Sequence, residues 1–197
     1  MLQGLLVDMV PLNKRYADLM HKWENSEAAF WGDMGDRQFF SRAMLQNRWQ
    51  QRMERLQQPN SPFVRFGMQT KDGQPIGFMV IAFIDFYHRH AMLGAMIGEP
   101  DYWGGGYGTD ALLLITDYAF GWLDLRKLWL MTMSLNARVV RQMEKVGYTL
   151  EARQREAAWV DGEWHDGLIY GLLREEWPGR ETVINRIGLR ARKGMDG

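Results

Sequence analysis

Cysteine is missing from the 197-residue sequence. That excludes disulfides, thiolate metal sites and a cysteine nucleophile. Histidine is scarce: His21, His88, His90 and His165 are all there is. None of these pairs has the i, i+4 spacing that places two imidazoles on one helix face. His88 and His90 would share one face of a strand, but a solvated hairpin turn accounts for them, and no metal is expected. Neither sign of charge is in excess, since Lys+Arg and Asp+Glu both number 24. A neutral chain argues against a protein that holds nucleic acid by neutralising phosphates. Long hydrophobic runs are also lacking. The longest, Ile76 to Ile84, is far short of the roughly 20 residues that cross a bilayer. No basic-then-apolar leader opens the sequence. Neither nucleic acid nor membrane is therefore expected as a partner, and a cytoplasmic location is the default expectation.

What is present can build a core. Hydrophobic residues make up 46% and aromatics 13%, enough for one folded domain. Leu5 to Leu12 reads as a strand, and Asn13 to Glu24 as a helix capped by Asn13, with Tyr16, Leu19, Met20 and Trp23 on one face. Ser26 to Asp36 reads as a loop carrying Phe30 and Trp31. Asp36 to Gln58 reads as a second helix with Phe39, Phe40, Met44, Leu45, Trp49, Met53 and Leu56 along one side. The period then changes to two. Phe63 to Gln69, Ile76 to Phe86 and Ala91 to Ile97 form an antiparallel meander joined at 71–74 and 87–90. A helix through about Leu123, a strand over Lys127 to Met133 and a helix from Asn136 to Val146 follow, the last stopped by Gly147. A hairpin of Tyr148 to Val160 and Trp164 to Leu173 closes the pattern. The order is β-α-α-β-β-β-α-β-α-β-β. Residues 1–177 make the expected domain, and 178–197 a basic C-terminal tail, either a short helix or without structure.

One segment carries chemistry. The fourth strand runs into Glu99-Pro100-Asp101-Tyr102 and then Trp103-Gly104-Gly105-Gly106-Tyr107-Gly108-Thr109, where a helix begins. Glycines permit positive φ and remove side chains that would block a ligand. Successive amides can then converge on an anion, helped by the helix N-terminus. Three readings compete. Gly106-x-Gly108-x-x-Ala111 matches a dinucleotide fingerprint, but the preceding strands are antiparallel, and Thr132 and Ser134 stand where an acidic residue should end the next strand. A P-loop fails for want of Gly-Lys-Ser/Thr. A glycine turn without a ligand remains.

The neighbouring residues resemble the GNAT superfamily of acyl-CoA N-acyltransferases. Trp103 to Gly108 fits that family's R/Q-x-x-G-x-G/A motif except at its first position. The string GEPDYWGGGYGTDAL is similar to the branch that acetylates ribosomal-protein N-termini and spermidine. LWLMTMSLNARVVRQMEKVGY resembles the branch's fifth strand and fourth helix, with its asparagine at Asn136, and GLLREEW resembles its C-terminal end. The resemblance spans about residues 5 to 177. It implies an α+β fold of α/β/α layers: a mixed, mainly antiparallel sheet of about seven strands with about four helices, splayed between strands four and five. Acetyl-CoA, with no metal, would lie in the splay. The resemblance places its pantetheine against Ala95, Met96 and Ile97, and its diphosphate on Trp103, Gly104, Gly105, Gly106, Tyr107, Gly108 and Thr109. Asn136 would be a further cofactor ligand, and a bulge in strand four would aim an amide at the thioester oxygen. Gly106→Val is expected to block the diphosphate path.

What the resemblance implies is an acetyl-CoA-dependent N-acetyltransferase acting on a primary amine of a small molecule or of a protein N-terminus. The alternative is a catalytically weak CoA-binding sensor or interaction module of the same fold. Met143 stands where many relatives carry a tyrosine that protonates the leaving thiolate. Val139 and Ala158 stand at the serine and glutamate positions of the ribosomal branch. Glu99 is the candidate general base, and Trp31, Phe30 and Asp85 are candidate substrate contacts. A lysine-like or polyamine nitrogen, with pKa about 10.4, costs about 4–5 kcal/mol to neutralise at pH 7; an α-amine costs about 1 kcal/mol. A homodimer is compatible with the family.

Overall fold

A computed structural model describes residues 1–32, 34–36 and 38–191. Its centre is one eight-stranded sheet in the order β1-β2-β3-β4-β5-β6-β8-β7. The strands are β1 (Leu2–Gln3), β2 (Val7–Pro11), β3 (Val64–Thr70), β4 (Pro75–Asp85), β5 (His90–Ile97), β6 (Lys127–Met133), β7 (Thr149–Val160) and β8 (Glu163–Leu173). Every neighbouring pair is antiparallel except β5 and β6. Helices α1 (Lys14–Trp23), α2 (Glu27–Gly32) and α3 (Arg42–Leu56) belong to one side, and α4 (Tyr107–Gly121), α5 (Ala137–Val146) and α6 (Arg180–Ile187) to the other. The expected α/β/α layering is therefore present. No helix among the described residues is long and apolar enough to cross a membrane.

Local chemistry explains the main elements. Residues 75–82 of β4 are all buried, as a strand covered on both faces requires. Helix α4 buries Leu112, Leu113, Leu114, Ile115, Ala119 and Phe120, nearly all round, and so forms the middle of the larger core. Each such leucine contributes about 2 kcal/mol by leaving water. Asn13 caps α1, whose Tyr16, Met20 and Trp23 face Phe78 and Met96 of the sheet. Asn136 caps α5, and Gly147 ends it at φ 105°.

Three differences from the sequence reading matter. Residues 27–32 form a helix rather than a loop, so Phe30 and Trp31 are helical. Helix α3 starts only after Ser41, whose hydroxyl accepts from Met44 N. That leaves Phe39 outside the apolar stripe and 81% exposed. The irregularity expected in the fourth strand lies instead on its neighbour β4, where Phe83 has φ 51° and the register shifts between Ala82 and Asp85. Of the two expectations for the tail, the short helix holds over residues 180–187, and it buries Val183 and Ile184 in the core. The expectation for the tail beyond Ala191 lies outside the described residues.

Candidate active site

β5 and β6 pair only through His90–Lys127, Ala91–Leu128 and Met92–Trp129, and no pair follows. The two strands splay from there, which leaves residues 93–97 of β5 with one open edge. Gly98 N donates to Ile76 O at 2.8 Å. Together with the β4–β5 register, this turns the peptide groups of Gly94 and Met96 toward β4 and those of Leu93, Ala95 and Ile97 into the splay. Of the expected contacts, Ala95 and Ile97 thus present main-chain groups to the opening. Met96 does not; its side chain is buried against α1. The Ile97 carbonyl is already engaged, since Trp103 Nε1 donates to it at 2.8 Å.

Beyond β5 the chain makes a short 3-10 turn at Pro100–Tyr102 and then the glycine segment. Gly104 and Gly106 have φ of 73° and 89°, which glycine adopts without steric cost. Gly106 is the N-cap of α4 and offers no side-chain cap. The first amide to find a helical partner is that of Asp110, bonded to Gly106 O. The amides of Tyr107, Gly108 and Thr109 therefore start the helix without one. A Cβ built on Gly104 meets nothing within 4 Å, so the chain is open to a ligand there. One on Gly106 would lie 2.9 Å from Leu189 and 3.2 Å from Leu6. The missing side chain at Gly106 thus makes room for the protein, and the expected effect of Gly106→Val becomes a packing clash. An open amide-rich turn continuous with a free strand edge fits a diphosphate joined to an extended amide chain.

Around this opening, Arg138 of α5 stacks on two indoles, 4.6 Å from the Trp103 ring centre and 5.9 Å from that of Trp31. Gln142 Nε2 donates to Thr109 Oγ1 at 3.3 Å and links α5 to the start of α4. Asn136 is buried, and its side-chain oxygen accepts from Val139 N at 3.3 Å. Met143 is buried in the core. Tyr148 is wholly enclosed, with its hydroxyl 3.2 Å from Thr116 Oγ1, and burial pushes its pKa far up.

The remaining candidates are dispersed. Glu99 accepts from Lys22 Nζ at 2.6 and 2.8 Å and from Trp23 Nε1 at 3.0 Å. Burial alone would raise its pKa, but the Lys22 ammonium and the Trp23 indole together hold it below the ordinary carboxylate value. A carboxylate engaged and held low is a poor base; Glu99 ties the end of α1 to the end of β5. Gly98 permits this contact, for a Cβ there would sit 2.2 Å from the Trp23 ring. Asp85 accepts from the amides of His88 at 2.7 Å and Tyr87 at 2.9 Å, and chiefly the His88 amide lowers its pKa. It pairs opposite His90, where β5 and β6 are still joined. It is therefore a turn cap at the closed end of the splay, not a substrate contact at the open end. Phe30 is buried with Met133, Ala158 and Val160, which makes it a packing residue. Trp31 remains at the opening through Arg138, and its indole N–H donates to Glu27 Oε1 at 3.0 Å.

The sequence reading missed a cleft of about 490 Å³ on the opposite face of the splay. Its floor is Met92, Leu93 and Gly94 of β5 with Met131 of β6, so both arms of the opening contribute. Its walls are Glu24, Ala29, Gly32, Met34, Asp36, Gln38, Phe40 and Arg48. Glu24 is only 8% exposed. A glycine inside a strand marks a close approach, so Gly94 was the one available signal. A larger hollow of about 700 Å³ lies along α4, β1 and Trp177. It includes nothing from β5, β6 or the glycine turn.

Comparison with known proteins agrees with this geometry. The family described as the acetyltransferase (GNAT) domain matches residues 8–149. YdaF of Bacillus subtilis (strain 168), whose name provisionally assigns it to ribosomal N-acetylation, is 29% identical over 110 residues, covering 56% of this chain and 60% of YdaF. Spermidine N(1)-acetyltransferase of Escherichia coli (strain K12) is 29% identical over 106 residues, 54% of this chain and 56% of that protein. The chain thus spans somewhat over half the length of these relatives. The structure of Vibrio cholerae spermidine N-acetyltransferase with CoA and spermine superposes with TM-score 0.76 at 19% identity, covering 86% of this chain and 96% of that one.

Proposed function

Because the chain belongs to the GNAT acetyltransferase family, we propose that it is an acetyl-CoA-dependent N-acetyltransferase that moves an acetyl group directly to a primary amine. One observation carries this reading: an open edge of β5 leads straight into the uncapped start of α4. The peptide groups of Leu93 and Ala95 would pair with pantetheine as with an added strand. The amides of residues 104–109 would take the diphosphate, with the α4 N-terminus adding favourable charge. Acetyl-CoA supplies an activated acyl group: the amine nitrogen forms the C–N bond, the C–S bond breaks, and the proton shed by nitrogen ends on sulfur. The chain's own part is to align the amine across the splay and to exclude water behind Trp31, Trp103 and Arg138. The amine would enter through the cleft lined by Glu24 and Gly94. Spermidine and ribosomal proteins, the acceptors named for the relatives, are amines, which supports this class of acceptor.

The test is calorimetry with acetyl-CoA alongside an assay of amine-dependent thiol release. Gly104→Asp is the informative variant. Aspartate tolerates positive φ, its side chain meets open space, and its charge would oppose a diphosphate. At least a tenfold loss of acetyl-CoA affinity is expected at unchanged melting temperature. Equal affinity would contradict the diphosphate placement.

A further inference from the structure

The acceptor cleft carries an unusual set of charges for proteins whose relatives act on a polycation. Two carboxylates among the described residues line it, the buried Glu24 and the exposed Asp36. Facing them in the same wall is the guanidinium of Arg48. Glu24 is moreover not alone behind that wall. Arg65 lies close enough to feel both the Glu24 and the Arg52 charges, and burial brings its pKa down to about 9. Arg65 Nη1 is buried without a hydrogen-bond partner. Arg48 in the wall and Arg65 behind Glu24 thus offset the two carboxylates. Such a set does not attract a molecule with several ammonium groups.

The Arg48 side is also rigidly built. Asn25 Nδ2 donates to Phe40 O at 3.0 Å, and Phe40 N donates to Asn25 Oδ1 at 2.7 Å. This pair fastens the 38–41 segment to the end of α1, next to Glu24. Arg48 then stacks over the Phe40 ring, 4.0 Å from its centre. Among the described residues Arg48 joins no ion pair, and it lines the cleft. Apart from Gln38, the other side chains of the lining are apolar, chiefly Met34, Phe40, Met92 and Met131. One end of the cleft thus suits an ammonium, the other an anion, and the space between suits an apolar group.

Resting on the acetyltransferase reading above, we propose that the acceptor is a small zwitterionic amine: a primary amine that carries a carboxylate on the same molecule and an apolar side chain. Arg48 binds the carboxylate in the forked geometry that guanidinium favours. Glu24 and Asp36 draw the amine toward Gly94 on the cleft floor, beside the splayed strands. The transfer is that of the proposed reaction, with the acid group as an anchor that takes no part in bond making.

Matched pairs test this directly. Phenylalanine is compared with phenethylamine, and tryptophan with tryptamine, by calorimetry in the presence of CoA and by steady-state turnover with acetyl-CoA; spermidine is the polycation arm. The carboxylate-bearing member of each pair is expected to bind at least tenfold tighter than its partner. Arg48→Gln, at an exposed position that leaves folding intact by circular dichroism, is expected to erase that difference, raising KM with little change in kcat. Tighter binding of spermidine or of the plain amines, or an unchanged preference in Arg48→Gln, would overturn the proposal. So would binding of none of these amines. Acetyl-CoA affinity is measured on the same protein. Its loss would count against the transferase reading, whereas retained affinity with the wrong acceptor preference counts against the zwitterion alone.

Discussion

Gly104 and Gly106 stand two residues apart in one turn and serve different ends. Both have positive φ, but only Gly104 faces open space; Gly106 faces Leu6 and Leu189. The sequence shows a run of glycines and cannot say which of them borders a ligand, because that depends on chain segments a hundred residues away. Glu99 gives a similar lesson. Its position at the end of β5 was legible, but its engagement by Lys22 and Trp23 was not. Its folded pKa is depressed, so its stabilisation is full above the unfolded value and is lost as pH falls through the lower, folded one. Glu99→Gln should therefore destabilise the protein at pH 7 by about 1 kcal/mol, the scale of a partly exposed charged hydrogen bond. The penalty should fade as the pH drops below about 4, where unfolded glutamate is protonated. Urea denaturation of both proteins at pH 7, 5 and 3 checks this. A penalty independent of pH would assign the effect to lost packing.

At the scale of elements, periodicity did well where a segment has one buried face. The Asn13 cap with Tyr16, Met20 and Trp23, the meander of β3 to β5, and the α5 unit between Asn136 and Gly147 all follow the pattern in the sequence. It did poorly where tertiary partners decide. Helix α6 is short and sparingly apolar, so the sequence leaves it open between a helix and no structure. Its place is fixed by Asp110, a fully buried carboxylate in the first turn of α4. Asp110 accepts from Leu6 N at 2.7 Å, Val7 N at 3.1 Å and Arg180 Nη2 at 3.1 Å. One side chain thus joins β2, α4 and α6 immediately behind the glycine turn. Asp110→Ala would leave two amides unpaired and a mostly buried guanidinium with only the exposed Glu181 as partner, at a cost of about 3 kcal/mol. Denaturant unfolding measures this. A loss below 1 kcal/mol would mean that α6 does not brace the turn. The cleft beside the splay was illegible for the same reason: Glu24, Phe40 and Arg48 of the helical layer meet Gly94 of β5 only in the folded chain.

For the whole molecule, the proposed function rests on one break in an otherwise continuous sheet. Antiparallel pairing on both flanks holds β5 and β6 at fixed places, while their own parallel pairing stops after Met92. One face of that opening meets the glycine turn, and the other meets the cleft lined by Glu24 and Gly94. In the proposed reaction a donor and an acceptor would approach the same gap from opposite sides without competing for space. The most direct measurement is a titration of 15N-labelled protein with acetyl-CoA, followed amide by amide in NMR spectra. The account predicts that the largest shifts fall on Leu93, Ala95, Gly104, Tyr107, Gly108 and Thr109. Absence of binding, or shifts gathered instead along the hollow beside Trp177 and β1, would contradict it.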